Sequence, residues 1–201
     1  MPPVLIGHSV GGLIAQHLLG KGLGRAAVAI APLPVDGVAL PASQTRLWPM
    51  MSGDPADRYG VVPLLPPHFQ HVYANTVGRD EAASLYDRHV VQAPARLLVE
   101  LGFDFPGADE VDGTACASAS VDTSNADRGP LLLVSGQEDR MVADEVTRSV
   151  YKLYGDSTAV TDLKQFADRG HSLVIDSGGR AVADHVLGWL ADQGLGPRTR
   201  D

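Results

Sequence analysis

A sharp change from strand to helix near the start of the chain constrains the fold more than any other feature. Residues 4–6 are an apolar run of strand type, whereas Leu13, Ile14 and Leu18 recur at helical spacing. Between them lies Ser9, with glycines at positions 7, 11 and 12. A strand that becomes a helix within about five residues must bend sharply, and neighbouring glycines leave room for that bend. The pattern therefore predicts that Ser9 lies at the tip of the bend, near the positive end of the helix.

A serine at such a bend is typical of a nucleophile elbow. The alternatives are a glycine-rich turn with an incidental serine and a phosphate-binding loop. No lysine follows the glycines and no Gly-x-Gly-x-x-Gly pattern is present, which excludes the common phosphate and dinucleotide loops. The segment 7–12, Gly-His-Ser-Val-Gly-Gly, resembles the elbow of the α/β-hydrolase superfamily. That resemblance implies a serine esterase or lipase with Ser9 as the nucleophile.

The rest of the pattern predicts an α/β fold with a short, mostly parallel sheet of at least four strands flanked by helices. Apolar runs predict the strands, and the last run is the least apolar, which favours a place near an edge. The predicted strands cover 4–6, 26–31, 130–136 and 159–166, and the predicted helices beside them cover 11–22, 143–154 and 180–193. Strand, helix and strand at the start form a right-handed βαβ unit.

Residues 35–128 have a different composition, with frequent proline and glycine and with aromatic and methionine side chains. Short helices are expected at 66–77, 81–90 and 95–101, and a loop at 107–129. The resemblance implies that this insertion is a helical lid within a single domain, residues 1–201. Some of its large side chains are candidates for an acyl-binding pocket, whereas simple packing of the lid is the alternative. The candidate substrate-binding residues are Trp48, Met51 and Phe69.

A serine hydroxyl needs a base to take its proton and an acid to orient that base. In this fold the acid and the histidine follow the serine in that order, each after a strand. The turn at 136–142 resembles the family's Gly-x-x-Asp-x-x-Val turn and places Asp139 in the acid position, with Glu138 as a rival. His171 follows the last predicted strand and Gly170, and it is the candidate base.

The predicted oxyanion hole has one donor that we can name, the backbone N–H of Val10. The second donor and several strands normally precede the elbow in the family, so the resemblance implies that the N-terminal strands of the fold are absent and the domain is truncated. The sequence therefore leaves two functions open. One is a serine hydrolase acting on small carboxylic esters; the other is a non-catalytic or remnant module with an incomplete oxyanion hole.

Composition excludes several other functions. The net charge of −8 argues against nucleic acid as a partner. A single cysteine, Cys116, fits a reducing compartment, so a cytoplasmic location is expected, and no apolar run approaches a membrane span. His68 and His71 are spaced for one helix face, but no third ligand is suggested, so neither a metal nor another cofactor is expected. A first strand paired on one side only would expose a sheet edge and favour self-association.

Overall fold

The fold is described from a computed structural model, which covers residues 1–41, 44, 61–62, 64–94 and 120–196. Its strands are β1 (Val4–His8), β2 (Ala26–Ile30), β3 (Val61–Val62), β4 (Ala93–Pro94), β5 (Leu131–Gly136) and β6 (Thr161–Phe166). Its α-helices are α1 (Val10–Gly20), α2 (Pro66–His68), α3 (Arg79–His89), α4 (Asp144–Leu153) and α5 (Gly179–Asp192). A π-helical turn, Phe69–Tyr73, follows α2, and a 3-10 turn, Tyr154–Asp156, follows α4.

Four parallel strands form the central sheet in the order β1-β2-β5-β6. One row of residues crosses it in register, from Leu5 through Ala27 and Leu131 to Thr161. Because the strands are parallel, the segments that follow β1, β5 and β6 all leave the sheet at the same edge. That edge, at the carboxyl ends of the strands, is where ligands bind in open α/β sheets.

Helices cover both faces of the sheet. On one face, α1 and α4 pack through residues such as Leu13 and Val146 against Ala27 and Leu133. On the other face, α5 packs through Val182, Val186 and Trp189 against the alternate residues of β2 and β5. Every residue of β2 and β5 is buried, which explains why these strands are continuous apolar runs rather than alternating ones.

The predicted sheet and its flanking helices are confirmed, with element ends that differ by at most three residues from the predicted ones. The last strand, β6, lies at an edge of the described sheet as expected, and its residues are half-buried. At the opposite edge, β1 pairs with β2 alone among the described residues. No helix among the described residues is long and apolar enough to cross a membrane.

The region 66–77 differs from the single regular helix that the sequence predicts. Helix α2 ends after three residues and continues as a π-helical turn, in which the N–H of Ala74 donates to the carbonyl of Phe69 at 2.9 Å. The wider turn lets the rings of Phe69 and Tyr73 stack, with centroids 5.1 Å apart. An i to i−5 hydrogen bond thus replaces the regular i to i−4 hydrogen bond here.

Other parts of the predicted lid are described only in pieces. Helix α3 is present close to the predicted span, and β3 and β4 form a two-stranded antiparallel pair that the sequence did not predict. The helix expected at 95–101 lies outside the described residues. The division of the chain into a domain and a lid at 35–128 stays a prediction.

Candidate active site

The bend after β1 has the geometry predicted for an elbow. Ser9 has a φ of 55° and a ψ of −119°. Residues other than glycine rarely adopt this backbone conformation, so the bend is strained. A Cβ on Gly7 would lie 1.9 Å from the carbonyl oxygen of Gly11, and one on Gly12 would lie 2.9 Å from the Pro32 Cβ. Glycine at positions 7 and 12 therefore lets β1, α1 and the segment after β2 approach one another closely.

The bend is also fixed by backbone hydrogen bonds. The N–H of Ser9 donates to the carbonyl of Ile30 at 2.9 Å, and the Ser9 carbonyl accepts from Gly12 at 2.9 Å. The N–H of Val10, the next amide after Ser9, has no acceptor among the described residues, as expected for the first turn of a helix. It is therefore free to donate to a ligand at the carboxyl edge of the sheet.

Asp139 lies in the tight turn after β5, and its carboxylate is held by the backbone. Its Oδ1 accepts from the N–H groups of Met141 at 2.8 Å and Val142 at 2.9 Å. The residue is 5% exposed, whereas the rival Glu138 is exposed to solvent. These two N–H donors hold Oδ1 in the turn and leave Oδ2 to face another partner.

That second oxygen contacts His171. Asp139 Oδ2 lies 2.7 Å from His171 Nδ1, and His171 is 1% exposed. Because a carboxylate only accepts, Nδ1 carries the proton of this hydrogen bond, and Nε2 is the nitrogen that can serve as the base. The structure thus brings the predicted acid and base together in the arrangement that orients a catalytic imidazole.

Ser9 and His171 both lie at the carboxyl edge of the sheet, and the residue next to Ser9 links them. His8 Nε2 lies 3.0 Å from the carbonyl oxygen of His171, and the two imidazole centroids are 4.5 Å apart. No hydrogen bond joins the Ser9 hydroxyl to His171 in the structure. The hydrogen bond and ring contact of His8 bring the residue before Ser9 next to His171 at this edge of the sheet.

His8 is neutral in this setting. Two causes lower the pKa of His8 to about 3, of which burial is the larger and the nearby His171 the smaller. A carbonyl oxygen only accepts, so His8 donates from Nε2 and holds the His171 backbone in place.

Tyr73 is a site residue that sequence reasoning missed. Its ring meets that of His171 edge-on, with centroids 4.9 Å apart. Burial and the charge of Asp139 raise the pKa of Tyr73 to about 12, so the phenol stays neutral. The two residues are far apart in the chain, and no local pattern signals their contact.

The predicted substrate-binding residues are only partly described, since Trp48 and Met51 lie outside the described residues. Phe69 is 2% exposed and packs between Tyr73 and Tyr86 in a small apolar cluster. It is therefore one ring removed from His171, through Tyr73. Its predicted contact with substrate stays a prediction.

The histidines considered for metal binding have other surroundings. Arg140 contacts both Nδ1 and the carbonyl oxygen of His71, at 3.1 and 3.2 Å. Within the described part of the chain, no group of three histidine, cysteine or acidic side chains is placed to hold a metal ion. The Arg140 contacts tie the turn of Asp139 to the π-helical turn.

Known structures share this architecture. A monoacylglycerol lipase from Paleococcus ferrophilus is 18% identical with a TM-score of 0.59, over 96% of this chain and 69% of the lipase. A methylesterase from Arabidopsis is 18% identical with a TM-score of 0.57, over 96% of this chain and 72% of its own. A meta-cleavage product hydrolase is 15% identical with a TM-score of 0.60, over 95% of this chain and 65% of its own. At these identities the likeness is one of fold.

Sequence comparison extends this likeness to a family. Among curated protein sequences, none matches the chain significantly. A model of the alpha/beta hydrolase family, however, matches residues 2–185, which is most of the chain. That range includes the elbow at Ser9, the turn of Asp139 and the loop of His171. The chain therefore belongs to the alpha/beta hydrolase family.

Proposed function

We propose that the protein is a serine hydrolase acting on carboxylic esters, with Ser9 as nucleophile, His171 as base and Asp139 as orienting acid. The observation that carries this proposal is the buried 2.7 Å hydrogen bond between Asp139 and His171 at the edge where strained Ser9 leaves the sheet. Burying a carboxylate and an imidazole costs desolvation free energy. Pairs of this kind are therefore found mainly at sites where a proton is transferred.

The chemistry follows from these positions. The Ser9 Oγ attacks the ester carbonyl carbon while His171 Nε2 takes the hydroxyl proton, giving a tetrahedral oxyanion. Asp139 stabilises the imidazolium that forms, and the Val10 N–H is the proposed donor to the oxyanion. His171 then protonates the departing alcohol, and a water molecule activated by the same nitrogen hydrolyses the acyl-serine.

Small esters are the proposed substrates. The names of the lipase and the methylesterase that share the fold describe enzymes acting on esters. Under this proposal, Trp48, Met51 and Phe69 belong to the acyl-binding side of the site, in the region predicted as a lid. The reaction itself requires no metal or cofactor, and the cytoplasmic location stays a prediction.

Hydrolysis of a short-chain p-nitrophenyl ester tests the proposal. We expect measurable turnover, because Ser9, His171 and Asp139 would supply a nucleophile, its base and the acid that orients the base. His171→Ala should abolish it, and Asp139→Asn should reduce it by up to about 10⁴-fold while the fold is kept. Full activity in His171→Ala would contradict the assignment of the base, and no hydrolysis by folded wild type would favour a non-catalytic member of the family.

A further inference from the structure

One short segment contacts both of the loops that carry the proposed acid and base. This bridging segment, residues 73–76, begins with the last residue of the π-helical turn. The Tyr73 carbonyl accepts from the N–H of Ser172 at 2.9 Å. The Thr76 hydroxyl oxygen accepts from the N–H of Gly170 at 3.2 Å. The bridging segment therefore binds the backbone on both sides of His171.

The same segment binds the acid turn. Asn75 Nδ2 donates to the carbonyl oxygen of Glu138 at 2.9 Å, and that carbonyl belongs to the peptide bond leading into Asp139. The N–H of Glu138 donates in turn to the carbonyl of Arg169 in the loop of His171, at 3.0 Å. The backbone just before Asp139 is thus fixed from two sides, by the base loop and by the bridging segment.

The fit between these pieces is close. A Cβ on Gly170 would lie 2.6 Å from Asn75 Oδ1 and 3.3 Å from Thr76 Oγ1. Glycine at position 170 therefore permits the bridging segment to reach the residue just before His171. Asn75 thus binds the backbone of the residue before Asp139, and Thr76 binds the backbone of the residue before His171.

We propose that Asn75 and Thr76 are positioning residues, which hold the loops of Asp139 and His171 at the separation that their hydrogen bond requires. Both side chains act through backbone groups of Glu138 and Gly170. The expected loss of rate rests on the function proposed above, whereas the expected shift of the two loops does not. Misplacement of a catalytic group by about 1 Å can cost about 100-fold in rate, so small shifts of either loop should be measurable.

Three variants and a control test the proposal. Thr76→Val keeps the shape of the side chain and removes the acceptor for Gly170, whereas Thr76→Ser keeps that acceptor. Asn75→Ala removes the donor to Glu138. The matched control is Asn125→Ala, since Asn125 Nδ2 also donates to a backbone carbonyl at 2.9 Å, that of Gly20, away from the candidate site.

Two readouts follow the site directly. One is the rate of serine labelling by a fluorophosphonate probe; the other is the downfield proton resonance of His171 Nδ1–H, assigned by its loss in His171→Ala. We expect Thr76→Val and Asn75→Ala to label about tenfold more slowly than wild type. Their resonance should shift or broaden while the thermal midpoint changes little. Thr76→Ser and Asn125→Ala should label within about twofold of wild type.

The outcomes separate this inference from the proposed function. Wild-type labelling rate and an unchanged resonance in folded Thr76→Val would overturn the positioning role. Equal slowing in Thr76→Ser or in Asn125→Ala would also overturn it, by showing a general loss of stability. If wild type is not labelled at all, the proposed function fails, and the resonance alone decides whether the bridging segment positions His171. If Asn75→Ala does not fold, the Thr76 pair decides.

Discussion

At the scale of single residues, the bond from His8 to the His171 carbonyl has a consequence for stability. Folding lowers the pKa of His8 from 6.5 to about 3, so the unfolded chain binds the proton more tightly than the folded one. The stability tied to neutral His8 is therefore complete above pH 6.5 and is lost as the pH falls towards 3.

The variant His8→Gln isolates that contribution, because glutamine retains a donor for the carbonyl but does not titrate. We expect the free energy of unfolding of wild type to fall more steeply than that of the variant as the pH drops below 6.5. The difference in slope should be at most about 1.4 kcal/mol per pH unit. Urea unfolding across this range measures it, and parallel curves for the two proteins would contradict a neutral, buried His8.

The sequence predicts some of the candidate site residues and does not predict others, for a physical reason. Ser9, Asp139 and His171 stand in local patterns, because each needs a particular turn of the backbone after a strand. Tyr73 and Asn75 act only through contacts across the fold, and no local pattern encodes such contacts. Both residues reach the candidate site only because the fold packs the π-helical turn against the loops of Asp139 and His171.

At the scale of elements, the elbow depends on glycine at one position and not at another. A Cβ at position 7 would meet the Gly11 carbonyl oxygen at 1.9 Å, whereas a Cβ at position 11 would meet nothing within 4 Å. Gly7→Ala should therefore destabilise the protein by about 1–3 kcal/mol or more, since backbone must move. Gly11→Ala is the matched control and should cost nothing, with a gain of up to about 1 kcal/mol from helix propensity.

Urea denaturation of the two glycine variants measures this difference. Equal stability of Gly7→Ala and Gly11→Ala would contradict the close approach of β1 and α1 at the elbow. The elements themselves were largely predictable, because strands buried on both faces leave continuous apolar runs and amphipathic helices leave apolar residues at helical spacing. The π-helical turn was not, since its apolar residues also fit a regular helix.

At the scale of the whole molecule, β1 is an edge strand of the described sheet and carries an exposed apolar side chain. Among the described residues β1 pairs with β2 alone, and Ile6 of this strand is 57% exposed. Unpaired edges of this kind tend to pair with another chain. We predict that the 201-residue chain self-associates through β1 with a second copy, edge to edge about a two-fold axis.

Light scattering on dilute, freshly purified protein tests this association. Ile6→Lys should shift the protein towards the monomer, because charge on an edge opposes pairing. Leu187→Lys is the matched control, since Leu187 is 61% exposed but lies on α5, and it should leave the association unchanged. A stable wild-type monomer that binds no hydrophobic dye would contradict the prediction.

In the proposed mechanism, Ser9 is a nucleophile activated by His171 and Asp139. Labelling with a fluorophosphonate probe, followed by mass spectrometry of the labelled peptide, tests it most directly. We expect one adduct on Ser9 in wild type, none in Ser9→Ala, and much slower labelling in His171→Ala. Equal labelling of wild type and Ser9→Ala, or an absence of labelling in folded wild type, would contradict it.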